Sequence, residues 1–319
     1  MSAGPAADSV AVILTCHNEG ALIEEAVASV LAQTAADAIR EIIVADDGSD
    51  AATVAVLERL AGLDPRITVL RHAGYGVSRN RNAAVRHSSA PLIAFLDADD
   101  LWTPGKLAAQ LRALADHPGT GLVYTGFCLF PNSAPDALIP VRVLDHSDAR
   151  DLTLSYFLSD PPVIPSSVLL RRAAFERAGG FDESLRVFED TEFFARLART
   201  TRYRALVEPH HVHKRYHGSS ITSRRDDLMM HHAFVAFHLA RAEPRLLPHI
   251  PRRLAERARK LGNVEARDGN PDAAARMYGL ALALRPLSAR AWISAAMLKL
   301  RMTGLVHHLR AYAAGSTKV

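Results

Sequence analysis

Cysteine is scarce: Cys16 and Cys128 are the only two in a chain of 319 residues. Two cannot frame a disulfide scaffold. Both stand among apolar neighbours, so buried free thiols in a reducing, cytoplasmic setting are expected. Long apolar runs are also missing. None approaches the roughly 18 residues that crossing a bilayer requires, and Met1-Ser2-Ala3-Gly4-Pro5 has neither the charged n-region nor the apolar core of a secretory leader. No basic, glycine-rich phosphate loop follows the first apolar run. Thr15-Cys16-His17-Asn18-Glu19 stands there instead, which counts against a nucleotidyltransferase. The basic residues are dispersed and form no recognisable reading motif, which counts against a nucleic-acid partner.

What the chain does have is acid at the ends of short apolar runs. Asp46-Asp47-Gly48-Ser49-Asp50 closes residues 41–45, and Asp97-Ala98-Asp99-Asp100 closes residues 91–96. Both runs read as buried parallel strands, and the crevice outside the carboxyl ends of such strands is where open α/β sheets bind ligands. Like charges gathered there call for a cation. A divalent metal holding a diphosphate meets that need, because hard cations take oxygen ligands.

Strand-like and helix-like segments alternate over residues 9–130, the pattern of an α/β fold whose mostly parallel sheet is covered on both faces. Thr103-Pro104 reads as a hydroxyl N-cap with proline at the first helical position. Residues 131–165 show no clear period and read as a loop-rich crossing. A strand is expected at 166–170, and a helix at 189–200 with Phe193, Phe194, Leu197 and Ala198 as its apolar stripe. Charge changes near position 225: residues 1–224 carry 22 basic and 27 acidic side chains, residues 225–319 carry 16 and 7. The second stretch is helical throughout. Around residues 255–300, Leu261, Gly262, Gly269, Ala274, Tyr278, Ala281 and Pro286 have the spacing of a tetratricopeptide unit, and Trp292 stands where the next repeat would place its aromatic. An ordinary helical hairpin is the alternative.

The segment at residues 12–19, Asp46-Asp47-Gly48-Ser49, Asn80-Arg81-Asn82, Asp97-Ala98-Asp99-Asp100 and Glu189-Asp190 follow one another as in family 2 glycosyltransferases, which the chain resembles over residues 9–225. The resemblance implies a GT-A, Rossmann-like domain over residues 1–225 and an all-α segment over 226–319. It also implies inverting, hexosyl-type transfer from a nucleotide diphosphate-sugar to a saccharide or lipid-linked hydroxyl. Thr15, Asn18, Glu19, Asp46, Asp47, Arg81, Asn82, Asp97 and Ala98 would then hold the donor. Asp47 would accept from a base N–H, with uracil favoured and guanine or thymine open. Asp99 would ligate Mg²⁺ or Mn²⁺, with His217 near the metal or diphosphate. Asp190, beside Glu189, would be the general base.

Each of these residues has a plainer reading. Asp-Gly-Ser also makes a turn, Arg81 also pairs with Asp97 or Asp99, and an acidic pair also complements a helix dipole. Asp97 and Asp99, two apart, would point the same way on an extended strand end, and Asp100 would cap the next helix. Trp102 suits acceptor stacking or the core equally. His210, His211 and His213 are expected on a loop. For Asp190, burial raises the pKa and the helix dipole lowers it. The rival from another class is a non-catalytic scaffold recruiting partners through its C-terminal helices. Those basic helices also suit a protein partner or peripheral contact with the inner face of a membrane.

Overall fold

The apolar run at the start of the chain forms β1 (Val10–Cys16), whose first five residues are buried. A strand apolar at every position is one covered on both faces. In the computed structural model, which describes residues 8–159, 163–216 and 228–300, the chain then alternates as expected. It runs through α1 (Leu22–Leu31), β2 (Ile39–Asp46), α2 (Ala51–Leu63), β3 (Ile67–Arg71), α3 (Val77–His87) and β4 (Leu92–Asp97). These strands pair in the order β3-β2-β1-β4, all parallel. Winding reverses between β1 and β4, so a topological switch point opens there. Thr15 and Asp97 face each other across it in register.

Next come β5 (Leu101–Trp102), α4 (Lys106–Asp116), β6 (Thr120–Pro131), β7 (Ile139–Val141), α5 (Leu152–Ser159), β8 (Val168–Arg171), α6 (Arg172–Ala178), α7 (Glu189–Leu197) and β9 (Arg202–Tyr216). β8 lies antiparallel between β4 and β6, β9 runs parallel to β6, and β5 and β7 add antiparallel edges. The sheet is therefore mixed, with its parallel half at the N-terminal end. The expected stripe of α7 is buried in full.

Three expectations change. The stretch 131–165 contains β7 and α5, because Leu152–Ser159 is apolar enough to pack as a helix. His210, His211 and His213 lie on β9, paired with β6, and not on a loop. β9 is mostly polar and interrupted by Pro209, so it carries little of the apolar signal that marks a strand. Finally, α4 is capped at Gly105 with no side-chain bond. The Thr103 hydroxyl instead lies 2.8 Å from the His211 ring, a partner more than a hundred residues away that no local rule can supply.

The chain divides into two compact units. One holds the sheet. The other gathers the last turn of α5, from Phe157, with α8 (Leu228–Ala242), α9 (Ile250–Arg267), α10 (Pro271–Leu284) and α11 (Ala289–Lys299). Within this second unit Arg253 is fully buried, stacks 4.8 Å from the Phe157 ring and donates to the Phe157 carbonyl. α9 and α10 form a hairpin packed through small residues: Ala258 and Ala281 cluster there, joined by Ala291 from α11. A Cβ on Gly262 would stand 2.5 Å from the Tyr278 ring, so glycine is what allows that close approach. Trp292, at the position of a repeat's aromatic, is 58% exposed and donates its indole N–H to the Pro286 carbonyl. Among the described residues no helix is long and apolar enough to cross a membrane. Both cysteines are free and buried.

The hairpin seam predicts opposite signs for two glycine substitutions. Gly262→Val should destabilise by about 1–3 kcal/mol through overpacking. Gly279→Ala, at an exposed helical position with open space around it, should stabilise by about 0.5–1 kcal/mol. Urea unfolding followed by far-UV circular dichroism reads both. A Gly262→Val protein as stable as the parent would contradict the packing.

Candidate active site

The loops that leave β1 and β2 are tied to each other before they can hold anything else. Asn18 takes a left-handed φ of 67°, a conformation its short polar side chain tolerates. Its N–H donates to Ser49 Oγ at 2.9 Å, and its Oδ1 accepts the Asp50 N–H at 2.7 Å. The Asp47 N–H donates to the Cys16 carbonyl, and His17 Nδ1 lies 3.2 Å from the Asp47 carbonyl. Asp46 is buried and accepts the Ser49 N–H at 3.2 Å. The Asp47 carboxylate takes the Tyr75 N–H at 2.6 Å and the Gly76 N–H at 2.9 Å, and so anchors the loop before α3. Gly76 sits at φ 76°, ψ 160°, a region essentially reserved for glycine. Glu19 accepts the His17 N–H, and burial, with the charge of Asp99 nearby, raises its pKa.

α3 points Arg81 into the switch point. The guanidinium, 4% exposed, forks onto two carboxylates from distant parts of the chain: Nη2 to Asp97 at 2.8 Å and Nη1 to Glu189 at 2.9 Å. A planar fork suits two separate acceptors in a way a lysine ammonium would not. The expected pairing of Arg81 with an aspartate is made to Asp97. Asn82 is turned away, giving and taking bonds at Phe181 and reaching Glu183 at 3.0 Å, which locks the chain ahead of α7.

The acidic cluster after β4 does not continue as an extended strand. A turn closes with the Asp100 N–H on the Asp97 carbonyl, so Asp97 and Asp99 do not simply share a face. Ala98 is buried in that turn. Asp100 caps no helix. It is fully buried, accepting the Ser166 hydroxyl at 2.6 Å and the Arg215 N–H at 3.1 Å. Ser166 Oγ also accepts the Asp97 N–H, so one hydroxyl ties two of the aspartates together. Trp102 lies in the core, donating to the Ser166 carbonyl. Arg215 stacks on Phe130 and donates to the Asp99 carbonyl, Asn132 and Glu25.

A second cation, which the sequence reading did not single out, enters from β9. Lys214 Nζ lies 3.7 Å from Asp97 and 3.6 Å from Asp100. Ser166 and Lys214 carry no motif of their own. Only the pairing of β9 with β6 and the position of β8 beside β4 bring them to the aspartates. His217 lies outside the described residues.

The base candidate sits at the start of α7. Phe188, its N-cap, is a non-glycine residue at φ 60°, a strained conformation that sets the direction in which Glu189 and Asp190 leave the backbone. Asp190 Oδ1 accepts the Thr191 N–H and hydroxyl. Burial raises the Asp190 pKa, outweighing the opposing charge of Arg81 and the Thr191 N–H. Burial and the neighbouring Asp190 push Glu189 up to about 7, with Arg81 opposing. For Asp97, burial is outweighed by Arg81 and Lys214, which hold the carboxyl below its usual range. Burial pushes Asp100 up to about 7 despite Lys214.

Five carboxylates thus meet around two cations. Among the described residues no three His, Cys, Asp or Glu side chains form a ready-made metal cage. The donor set is nonetheless hard oxygen throughout, which suits an ion completing its shell with water and phosphate oxygens.

ExoU of Rhizobium meliloti, a succinoglycan biosynthesis protein, is 31% identical over 209 residues, 62% of this chain and 59% of that one. WfgD of Escherichia coli, a glucosyltransferase described as acting on α-D-GlcNAc-diphosphoundecaprenol, is 38% identical over 107 residues, 33% of this chain and 40% of that one. The chain therefore spans less than two thirds of either relative. Residues 1–349 of S. aureus TarS, solved in complex with UDP-GlcNAc, superpose with a TM-score of 0.61 at 16% identity, over 95% of this chain and 92% of that one. This last likeness is one of fold, and the fold is GT-A. The family model for glycosyl transferase family 2 matches residues 11–179, more than half of the sequence, and the chain belongs to that family.

Proposed function

We propose that the chain is an inverting glycosyltransferase moving a sugar from a nucleotide diphosphate-sugar, with uridine as the nucleoside, to a hydroxyl acceptor. The observation that carries this reading is the Arg81 fork, which ties the acid ending β4 to the acid pair opening α7. It gives a donor-holding group and a base one common cleft at the switch point. Thr15, Asn18, Glu19, Asp46 and Asp47 line the loops on the nucleoside side. Both oxygens of Asp47 already hold backbone N–H groups, which fixes the carboxylate's direction while each oxygen keeps a further lone pair.

In the proposed reaction Asp190 takes the proton of the acceptor hydroxyl as its oxygen bonds to the anomeric carbon. The bond from that carbon to the diphosphate breaks on the opposite face, and the nucleoside diphosphate leaves with the electron pair. We assign Mg²⁺ or Mn²⁺ to the Asp99 carboxylate, as the family resemblance implies, beside Asp97, whose two oxygens face Arg81 and Lys214. Bound there, a divalent ion would supply positive charge for the departing diphosphate. Lys214 supplies part of the same charge from the protein.

The acceptor we infer is a saccharide or lipid-linked sugar, in keeping with the part of ExoU in succinoglycan biosynthesis and with the diphosphoundecaprenol-linked acceptor of WfgD. Met230, Phe234 and Phe237 are exposed along α8, in a segment rich in arginine. That combination suits an anionic bilayer surface.

Asp99→Ala should abolish metal-dependent stabilisation by UDP in a thermal-shift assay. Asp190→Asn should leave donor binding unchanged and slow transfer about 10²-fold or more; normal turnover by this variant would remove Asp190 as the base. The carboxylate works only when deprotonated, and its pKa is raised. Activity should therefore be full above that pKa and fall as pH drops through it, with the acid limb of kcat/KM above the roughly 3.9 of a free aspartate. A limb at or below that value would contradict the assignment. The chain should sediment with phosphatidylglycerol vesicles and not with phosphatidylcholine ones, and Phe234→Glu with Phe237→Glu should abolish this. Equal sedimentation of the variant would exclude the α8 face.

A further inference from the structure

Two cations stand among Asp97, Asp99, Asp100, Glu189 and Asp190, and they are not equivalent. Arg81 is 4% exposed and spends its fork on Asp97 and Glu189. Lys214 keeps 32% of its side chain exposed, and its ammonium lies between Asp97 Oδ2 and Asp100 Oδ2 at 3.7 and 3.6 Å, longer than a tight ion pair. Each oxygen of Asp97 thereby faces its own cation: Arg81 on Oδ1, Lys214 on Oδ2. Of the two, Lys214 alone can meet a solute. Burial works against its charge, but Asp100 and Asp97 outweigh this, so the ammonium stays protonated.

We propose that Lys214 is a resident cation of the donor site, which shares the neutralisation of the diphosphate with the divalent ion and, by the same charge, holds down the site's affinity for that ion. The inference rests on the reading of the cleft as a sugar-nucleotide site. The sign follows from Coulomb's law. A fixed positive charge a few ångströms from the carboxylates repels an incoming cation and attracts an incoming diphosphate. A purely structural lysine would behave differently, since its loss would loosen Asp97 and Asp100 and weaken both ligands together.

The test measures two dissociation constants on the full chain by calorimetry: Mn²⁺ alone, and UDP with metal chelated away. Lys214→Met should bind Mn²⁺ about tenfold more tightly and metal-free UDP about tenfold more weakly, while Lys214→Arg should keep both within about threefold of the parent. Lys214→Gln replaces the methionine variant if thermal unfolding shows the latter to be misfolded. Movement of both constants in the same direction, or of neither, would overturn the role of Lys214 and leave the nucleotide site standing. A parent chain that bound neither Mn²⁺ nor UDP would bring down the reading of the cleft, and the role of Lys214 with it.

Discussion

A buried guanidinium between two carboxylates holds this site together. Arg81 leaves α3, reaches Asp97 at the end of β4 and Glu189 at the start of α7, and is almost wholly removed from water. Desolvating three charges is costly, and the attraction among them offsets that cost only if all three partners are in place. Losing any one leaves an uncompensated buried charge, a penalty of about 3–5 kcal/mol. The geometry of the strand end and that of the helix start are therefore not independent: a single side chain positions both.

Around that centre the chain uses small groups to hold aspartates in place. Ser166 touches two of them with one hydroxyl, and Arg215 pins the backbone between them. Asp47 works in the other direction, spending a carboxylate on backbone N–H groups so that the loop before α3 is fixed. Phe188, just ahead of α7, and Asn18, just after β1, both take left-handed φ values. Such conformations persist only where the surroundings over-determine them, and here those surroundings are the cross-links just described. A rigid scaffold of this kind presents its acids at fixed distances, as electrostatic catalysis requires.

Much of this was legible in the sequence where the signal was local. The run before Asp97 and the acid that ends it announce a buried strand and its mouth. Glu189-Asp190 ahead of Phe193 and Phe194 announces a helix start with one buried face. What stayed hidden was set by distant partners. β9 is polar, interrupted by Pro209 and paired to β6 through shifted register, so nothing in its own composition marks it as a strand or Lys214 as part of the site. Asp100 looked like a cap because acids before helices often are; its burial depends on Ser166 and Arg215, 66 and 115 residues away. Arg81 showed the opposite behaviour: its type and place already suggested a carboxylate partner, and Asp97 is one of the two it meets.

The central claim is that one cleft serves both the strand-end acids and the acid pair of α7. A crystal structure with UDP and Mn²⁺ bound tests it most directly. The account predicts the diphosphate beside Asp99 and Lys214, with Asp190 facing the open side where an acceptor would approach. Nucleotide bound away from the switch point, or Asp190 shut off from the diphosphate by intervening protein, would contradict it.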